Sequence, residues 1–172
     1  MGPGEIHDEH PFATPPDQRD PVRQFRGRLT APVTVVTAGG PSARAGLTGS
    51  SLFVAEGDPS FVHLLVGAGT DLWFAIEETG RFVVHILEEE HRELSDRFAG
   101  LRPSPGGLFA GLEVSDTEFG PVITALGSRA FCRYHSHRDD PFHALVHGTI
   151  ERIELHDLRR PLRYFRGEYS HG

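Results

Sequence analysis

Two stretches of this chain gather side chains able to do chemistry. The first, Gly46-Leu47-Thr48-Gly49-Ser50-Ser51, crowds two glycines and three hydroxyls into six residues. Glycine lets a backbone come close to a ligand, and hydroxyls donate to carbonyls and ring nitrogens. The stretch therefore reads either as a turn or as a grip on a planar polar ligand. The second runs from Cys132 to His143. On a strand, Arg133, His135 and His137 share one face, and Asp139, Asp140 and His143 follow closely. Histidines two apart can ligate a metal, but no CxxC or HExxH spacing defines a coordination geometry, so a solvated polar face is the expectation. Cys132, the only cysteine, is expected to be buried and inert. No Gly-x-Ser-x-Gly elbow supports a serine hydrolase. All 17 basic residues are arginine, which excludes both a Schiff-base lysine and the lysine of a phosphate-binding P-loop.

The bulk of the chain narrows the classes further. At 172 residues, 38% hydrophobic and 24% charged, it fits one globular domain with a real core. Its net charge of -7 offers no basic field for nucleic acid or an anionic membrane surface. A single cysteine, no leader-like N-terminus and no apolar run of bilayer length lead to the expectation of a cytoplasmic protein without membrane insertion.

The elements that must position these residues follow from the pattern. Residues 1–20, rich in proline and acid, read as a loose tail, with the domain covering 21–172. Val22, Phe25 and Leu29 recur at helical spacing. Pro32 to Ala38 reads as a strand closed by Gly39-Gly40-Pro41, and a second strand is expected over Gly46 to Ala55. Ser60 to Val66 reads as a third strand. Thr70-Asp71 reads as the cap of a short helix that Gly80 stops. Arg81 to Leu87, apolar on both faces apart from His85, reads as a central strand with the histidine as a satisfied core residue. A surface helix is expected over Glu88 to Ala99. Pro121–Leu126, Ser128–His137 and His143–Leu155 read as strands, and Pro161–Tyr169 as an aromatic tail that packs back. The sum is a barrel-like α+β domain.

Taken in order, these pieces resemble the flavin reductase-like family of FMN-binding split barrels. The resemblance rests on Phe25 to Ala38, Ala45-Gly-Leu-Thr-Gly-Ser-Ser51, Asp58-Pro59 before an apolar strand, Thr70-Asp-Leu-Trp-Phe-Ala-Ile76, Gly80 to Leu87, Asp96-Arg-Phe-Ala-Gly100 and Tyr164 to Tyr169. It spans about residues 22–170. It implies a mainly β fold, a six-stranded antiparallel split β-barrel with short flanking helices, and a homodimer with flavin at the subunit interface. Gly46, Leu47, Thr48, Ser50 and Ser51 are then assigned to the cofactor, FMN or alternatively FAD. Gly67 and Thr70 are placed at a phosphate-receiving turn, where a helix N-terminus favours an anion. Arg81 or Arg97 is a further phosphate partner, and Trp73 is expected in the core.

Many reductases of the family carry Gly-Asp-His at a strand start, with a glycine five residues after the histidine. Here His143 and Gly148 keep that spacing, while Pro141-Phe142 replace Gly-Asp and Asp139-Asp140 lie upstream. The resemblance makes His143 the candidate catalytic group, contacting the nicotinamide of NADH or NADPH or shuttling a proton. The implied activity is nicotinamide-dependent flavin reduction, with a monooxygenase as partner. The alternative is a split-barrel module that holds flavin, or heme, without nicotinamide oxidation.

Overall fold

The computed structural model describes residues 20–170. Of the tail expected over residues 1–20, only Asp20 falls among them, and it caps the first helix, α1 (Pro21–Gly27). Its Oδ1 accepts from the Val22 and Arg23 amides at 2.8 and 3.4 Å, with Pro21 at a position where no amide is needed. The apolar spacing does make a helix, but Val22, Phe25 and Leu29 all remain exposed.

The chain then builds β1 (Ala31–Pro32), β2 (Thr34–Ala38), β3 (Ala45–Gly49), β4 (Leu52–Ala55), β5 (Phe61–Gly67), α2 (Asp71–Thr79) and β6 (Arg81–Ile86). A 3-10 turn over Glu89–His91 leads into α3 (Arg92–Phe98). There follow β7 (Val114–Thr117), β8 (Gly120–Ile123), β9 (Arg129–Asp139), β10 (His143–Glu154), β11 (Arg163–Phe165) and β12 (Glu168–Ser170). Thr70 caps α2 by accepting from the Trp73 amide, and Gly80 ends it with φ 67°, a left-handed conformation that glycine adopts without strain.

Seven strands form one antiparallel sheet in the order β3-β2-β6-β9-β10-β5-β4. Its two ends are the halves of the stretch expected as one strand over 46–55. The chain leaves β2's side at Gly49, turns through Ser50 and Ser51, and joins the opposite end of the sheet beside β5. Counted as one bent pass, β3 and β4 make this a six-pass antiparallel barrel whose ends are joined covalently at the corner. The sequence pattern does not reveal β1, β7, β11 and β12. These strands have only two to four residues each, too few for a period to register.

The barrel interior is filled by Val36, Val62, Leu64, Val66, Phe82, Val84, Ala144 and Val146, with Leu72, Trp73 and Ile76 of α2 packed against them. Trp73 is thus a core residue. A second cluster on the other face of β2 joins Val33, Val35, Leu87 and Phe98, with Tyr164 and Tyr169 packed at its side. There the Tyr169 hydroxyl bonds Ser95 at 2.9 Å and Asp96 at 2.5 Å, which secures the aromatic tail on α3. Gly148 is required by this packing, since a Cβ there would lie 2.4 Å from Phe82 Cζ inside the barrel. No helix among the described residues is long and apolar enough to cross a membrane.

Strands β2 and β6 are buried on both faces, so the one histidine between them must be neutral and bonded. The His85 Nδ1–H donates to the Val35 carbonyl at 3.1 Å, and Nε2 accepts from the Ile123 amide at 3.3 Å. Burial pushes this imidazole down to about 4. In the unfolded chain the ring takes a proton near its ordinary value, about 6.5. The contribution of His85 to stability is therefore complete above pH ~6.5 and is lost as pH falls towards 4, at up to about 1.4 kcal/mol per pH unit. Urea midpoints measured across this window are expected to fall with acidification in the wild type. His85→Asn, which keeps a donor and an acceptor but does not titrate, is expected to flatten the curve. An unchanged slope would rule out His85 as the cause.

Candidate functional site

The register of three strands gathers most of the sequence-singled residues at one rim of the barrel. Leu52 pairs with Leu64, and the Leu65 amide donates to the Ser51 carbonyl at 3.0 Å, so Ser50 and Ser51 lie beside the C-terminal half of β5. On the other side of β5, Gly67 pairs with His143. Adjacent strands are about 4.8 Å apart. The serine corner, the Gly67–Thr70 turn and His143 therefore occupy one row across β4, β5 and β10.

Gly46, Leu47 and Thr48 lie farther along β3 and contribute differently. Gly46 sits under the Phe98 ring, where a Cβ would stand 2.5 Å from Cε1, so this glycine answers a close approach by α3. Leu47 packs against the barrel core. The Thr48 hydroxyl donates to the Ser95 carbonyl at 2.7 Å and locks β3 to α3. Because β3 is a sheet end, one edge of its backbone has no strand partner within that sheet and can present polar groups to a ligand.

The serine hydroxyls are held by a residue that sequence reasoning missed. Nη2 of Arg26, in the last turn of α1, donates to Ser50 Oγ at 3.1 Å and Ser51 Oγ at 3.4 Å. The turn is anchored in place by the Arg166 amide, which donates to the Gly27 carbonyl at 2.7 Å. Nothing local marks Arg26 among 17 arginines; only the packing of α1 brings it to the corner. The two arginines proposed from the sequence are engaged elsewhere. Arg97 donates to the Gly107 and Ala110 carbonyls at 2.8 and 2.7 Å, and Arg81 pairs with Glu118 at 2.9 Å.

At the Gly67 turn, the Thr70 hydroxyl donates to the Gly67 carbonyl at 2.8 Å and accepts from the Trp73 amide at 3.2 Å. Its hydrogen-bonding capacity is largely used within the turn, and Asp71 places a carboxylate in the first turn of α2. That charge opposes a second anion at this helix end.

His143 regains an acidic neighbour despite the Pro141-Phe142 replacement. Asp140 Oδ1 accepts from the Phe142 and His143 amides at 2.9 and 2.7 Å and lies 3.5 Å from His143 Nδ1. Those backbone amides hold the Asp140 carboxyl below its usual range. A carboxylate three residues upstream thus turns back onto the imidazole.

The expected common face of Arg133, His135 and His137 does not form. The register between β9 and β10 slips between His147 and Gly148, leaving His135 as the extra residue of a bulge. His137 consequently turns inward, with its ring 4.8 Å from Trp73 and its Nδ1 2.5 Å from the Tyr134 hydroxyl. His135 instead meets Phe61 at 5.5 Å. Among the described residues no cluster of three or more His, Cys, Asp or Glu is arranged to hold a metal ion. Cys132 is fully buried, and burial pushes its thiol up to about 12, which leaves it unreactive near neutrality.

Known proteins resemble this chain in sequence and fold. The chain matches the family model described as a flavin reductase like domain over residues 26–172. It is 32% identical over 161 residues to the reductase subunit of a flavin-dependent monooxygenase from Mycobacterium tuberculosis, covering 89% of this chain and 83% of that protein. It is 30% identical over 151 residues to the reductase component of 4-hydroxyphenylacetate 3-monooxygenase from Thermus thermophilus, covering 88% and 95%. The crystal structure of a nitrilotriacetate monooxygenase component B homologue from Mycobacterium thermoresistibile matches with a TM-score of 0.77 at 30% identity, over 87% of this chain and 83% of that one. Family model, sequence identity and fold agree: this chain belongs to the flavin reductase-like domain family.

Proposed function

We propose that this flavin oxidoreductase takes FMN as its flavin and NADH or NADPH as its electron source, and passes reduced flavin to a partner monooxygenase. The observation that carries this reading is the row across β4, β5 and β10, which sets a donor-rich corner and a carboxylate-backed histidine at one rim. A flavin is rich in acceptors: two ring carbonyls, ring nitrogens and, in FMN, a phosphate. The corner answers with donors. Ser50 and Ser51 accept from Arg26, which leaves both hydroxyl protons free to donate. The residues present therefore fit the group.

The flavin, when bound, supplies the acceptor for a hydride, and the protein supplies position and electrostatics. In this reading Ser50 and Ser51 donate to the flavin, while the Gly46-Leu47-Thr48 backbone and the turn from Gly67 to Thr70 border it. With Nδ1 turned to Asp140, His143 keeps Nε2 to hold the nicotinamide carboxamide or to move the proton that accompanies hydride transfer. The reading also takes the chain as a homodimer. Its support is the outer face of β4 and β5, where Phe53 and Leu65 are exposed. Beside them Phe53 stacks on His63 at 4.7 Å, and His63 meets His147 at 4.4 Å. Such an exposed aromatic patch can pack against its own copy across a two-fold axis.

Titration with FMN followed by anaerobic NADH or NADPH is expected to bleach the visible flavin band. A bound flavin that neither nucleotide reduces would favour a binding module. His143→Ala is expected to lower kcat/KM for the nucleotide by about 100-fold, and Asp140→Asn, which still caps the turn, by less. An unchanged kcat/KM in His143→Ala removes His143 from the mechanism. Sedimentation is expected to return twice the 19.0 kDa chain mass, and a monomer at working concentration would refute the dimer.

A further inference from the structure

We infer that Arg26, together with the Ser50 and Ser51 hydroxyls, seats the phosphate of the bound flavin, so that the protein selects a phosphorylated flavin over riboflavin. This inference rests on the flavin reading above and adds a residue and a specificity to it.

The argument begins with an imbalance of donors. Arg26 carries five N–H donors, and its contacts are two serine oxygens. Among the described residues it forms no ion pair with a carboxylate, although every other arginine proposed for the phosphate is committed to an acceptor. The serines accept from the guanidinium and donate to no acceptor among the described residues. Among the described residues, the remaining guanidinium donors and the two hydroxyl protons at the corner therefore have no acceptor. A phosphate monoester is the complementary group, since it offers three acceptor oxygens and up to two negative charges to a planar fork.

The competing location is weaker on electrostatic grounds. The N-terminus of α2 lies one strand away, but it carries Asp71 in its first turn, and its capping hydroxyl is already bonded. A dianion there meets a fixed negative charge. At the corner it meets a positive one. The position of Arg26 is also set independently of any ligand, by the Asp20 cap at one end of α1 and the bond from Arg166 to Gly27 at the other.

The test is a fluorescence titration of the full chain with FMN and with riboflavin, which differ only in the phosphate. The wild type is expected to bind FMN about 10- to 100-fold more tightly, the range for hydrogen bonds to a charged group. Arg26→Gln is expected to remove most of that ratio by weakening FMN while leaving riboflavin unchanged. Arg26→Lys is expected to retain part of it, and the pair Ser50→Ala with Ser51→Ala to lower it. Arg26 is exposed, so its variants are expected to melt like the wild type. A ratio that survives Arg26→Gln overturns the inference. So does an equal loss for both flavins, which would make Arg26 a mere brace of the corner, or a loss seen only for NADH or NADPH. A wild type that binds neither flavin defeats the flavin reading itself, and this inference with it.

Discussion

A sheet of seven antiparallel segments has two ends, and in this chain a single bent pass, β3 and β4, supplies both of them. β3 pairs with β2 at one end, β4 pairs with β5 at the other, and only Ser50 and Ser51 lie between them. The closure has a consequence for chemistry. A strand that changes partners must interrupt its ladder, and polar groups at the interruption are not all consumed by neighbouring strands. The corner is thus a place where backbone geometry itself calls for outside partners, and it carries hydroxyls rather than apolar side chains.

The rest of the molecule holds that corner still. Thr34 donates to the Gly49 carbonyl at 2.8 Å, Thr48 to Ser95 on α3, and α3 in turn receives Tyr169 from the chain's far end. β2 and β6 form a wall buried on both sides, with His85 bridging Val35 and Ile123 through both ring nitrogens. An alkyl side chain at His85 would leave the Val35 carbonyl and the Ile123 amide to find other partners in a dry layer. A site built on such elements is more precisely placed than one carried by loops alone.

His143 lies on the opposite side of β5, at the mouth of the β9–β10 hairpin. The change from Gly-Asp to Pro-Phe ahead of it does not strip the imidazole of a carboxylate, because Asp140 folds back through its own backbone bonds to Phe142 and His143. A donor-rich corner and a carboxylate-backed imidazole thus lie on the two sides of β5, separated by the width of one strand.

Much of the scaffold was legible in the residues. The two-sided apolar strand over 81–87, the Thr70 cap, the Gly80 stop and the inert Cys132 all follow from local rules, since caps, periodicities and burial preferences act over a few neighbours. Ser50, Ser51, Gly67 and His143 were also visible by type and order. What local rules could not supply was anything decided by partners distant in sequence. The break at 50–51 depends on two strands competing for one pass of chain. The bulge at His135 sends His137 inward through a register set by β10. Arg26 becomes part of the corner only because α1 is tied to Gly27 by Arg166, 139 positions later in the chain. Sequence by itself determined which segments form the core strands and which side-chain types are available for chemistry, because these depend on residue type and short-range spacing. Tertiary structure alone decided which of them meet, because contact across the barrel is set by strand register, and a single-residue slip in register changes every neighbour.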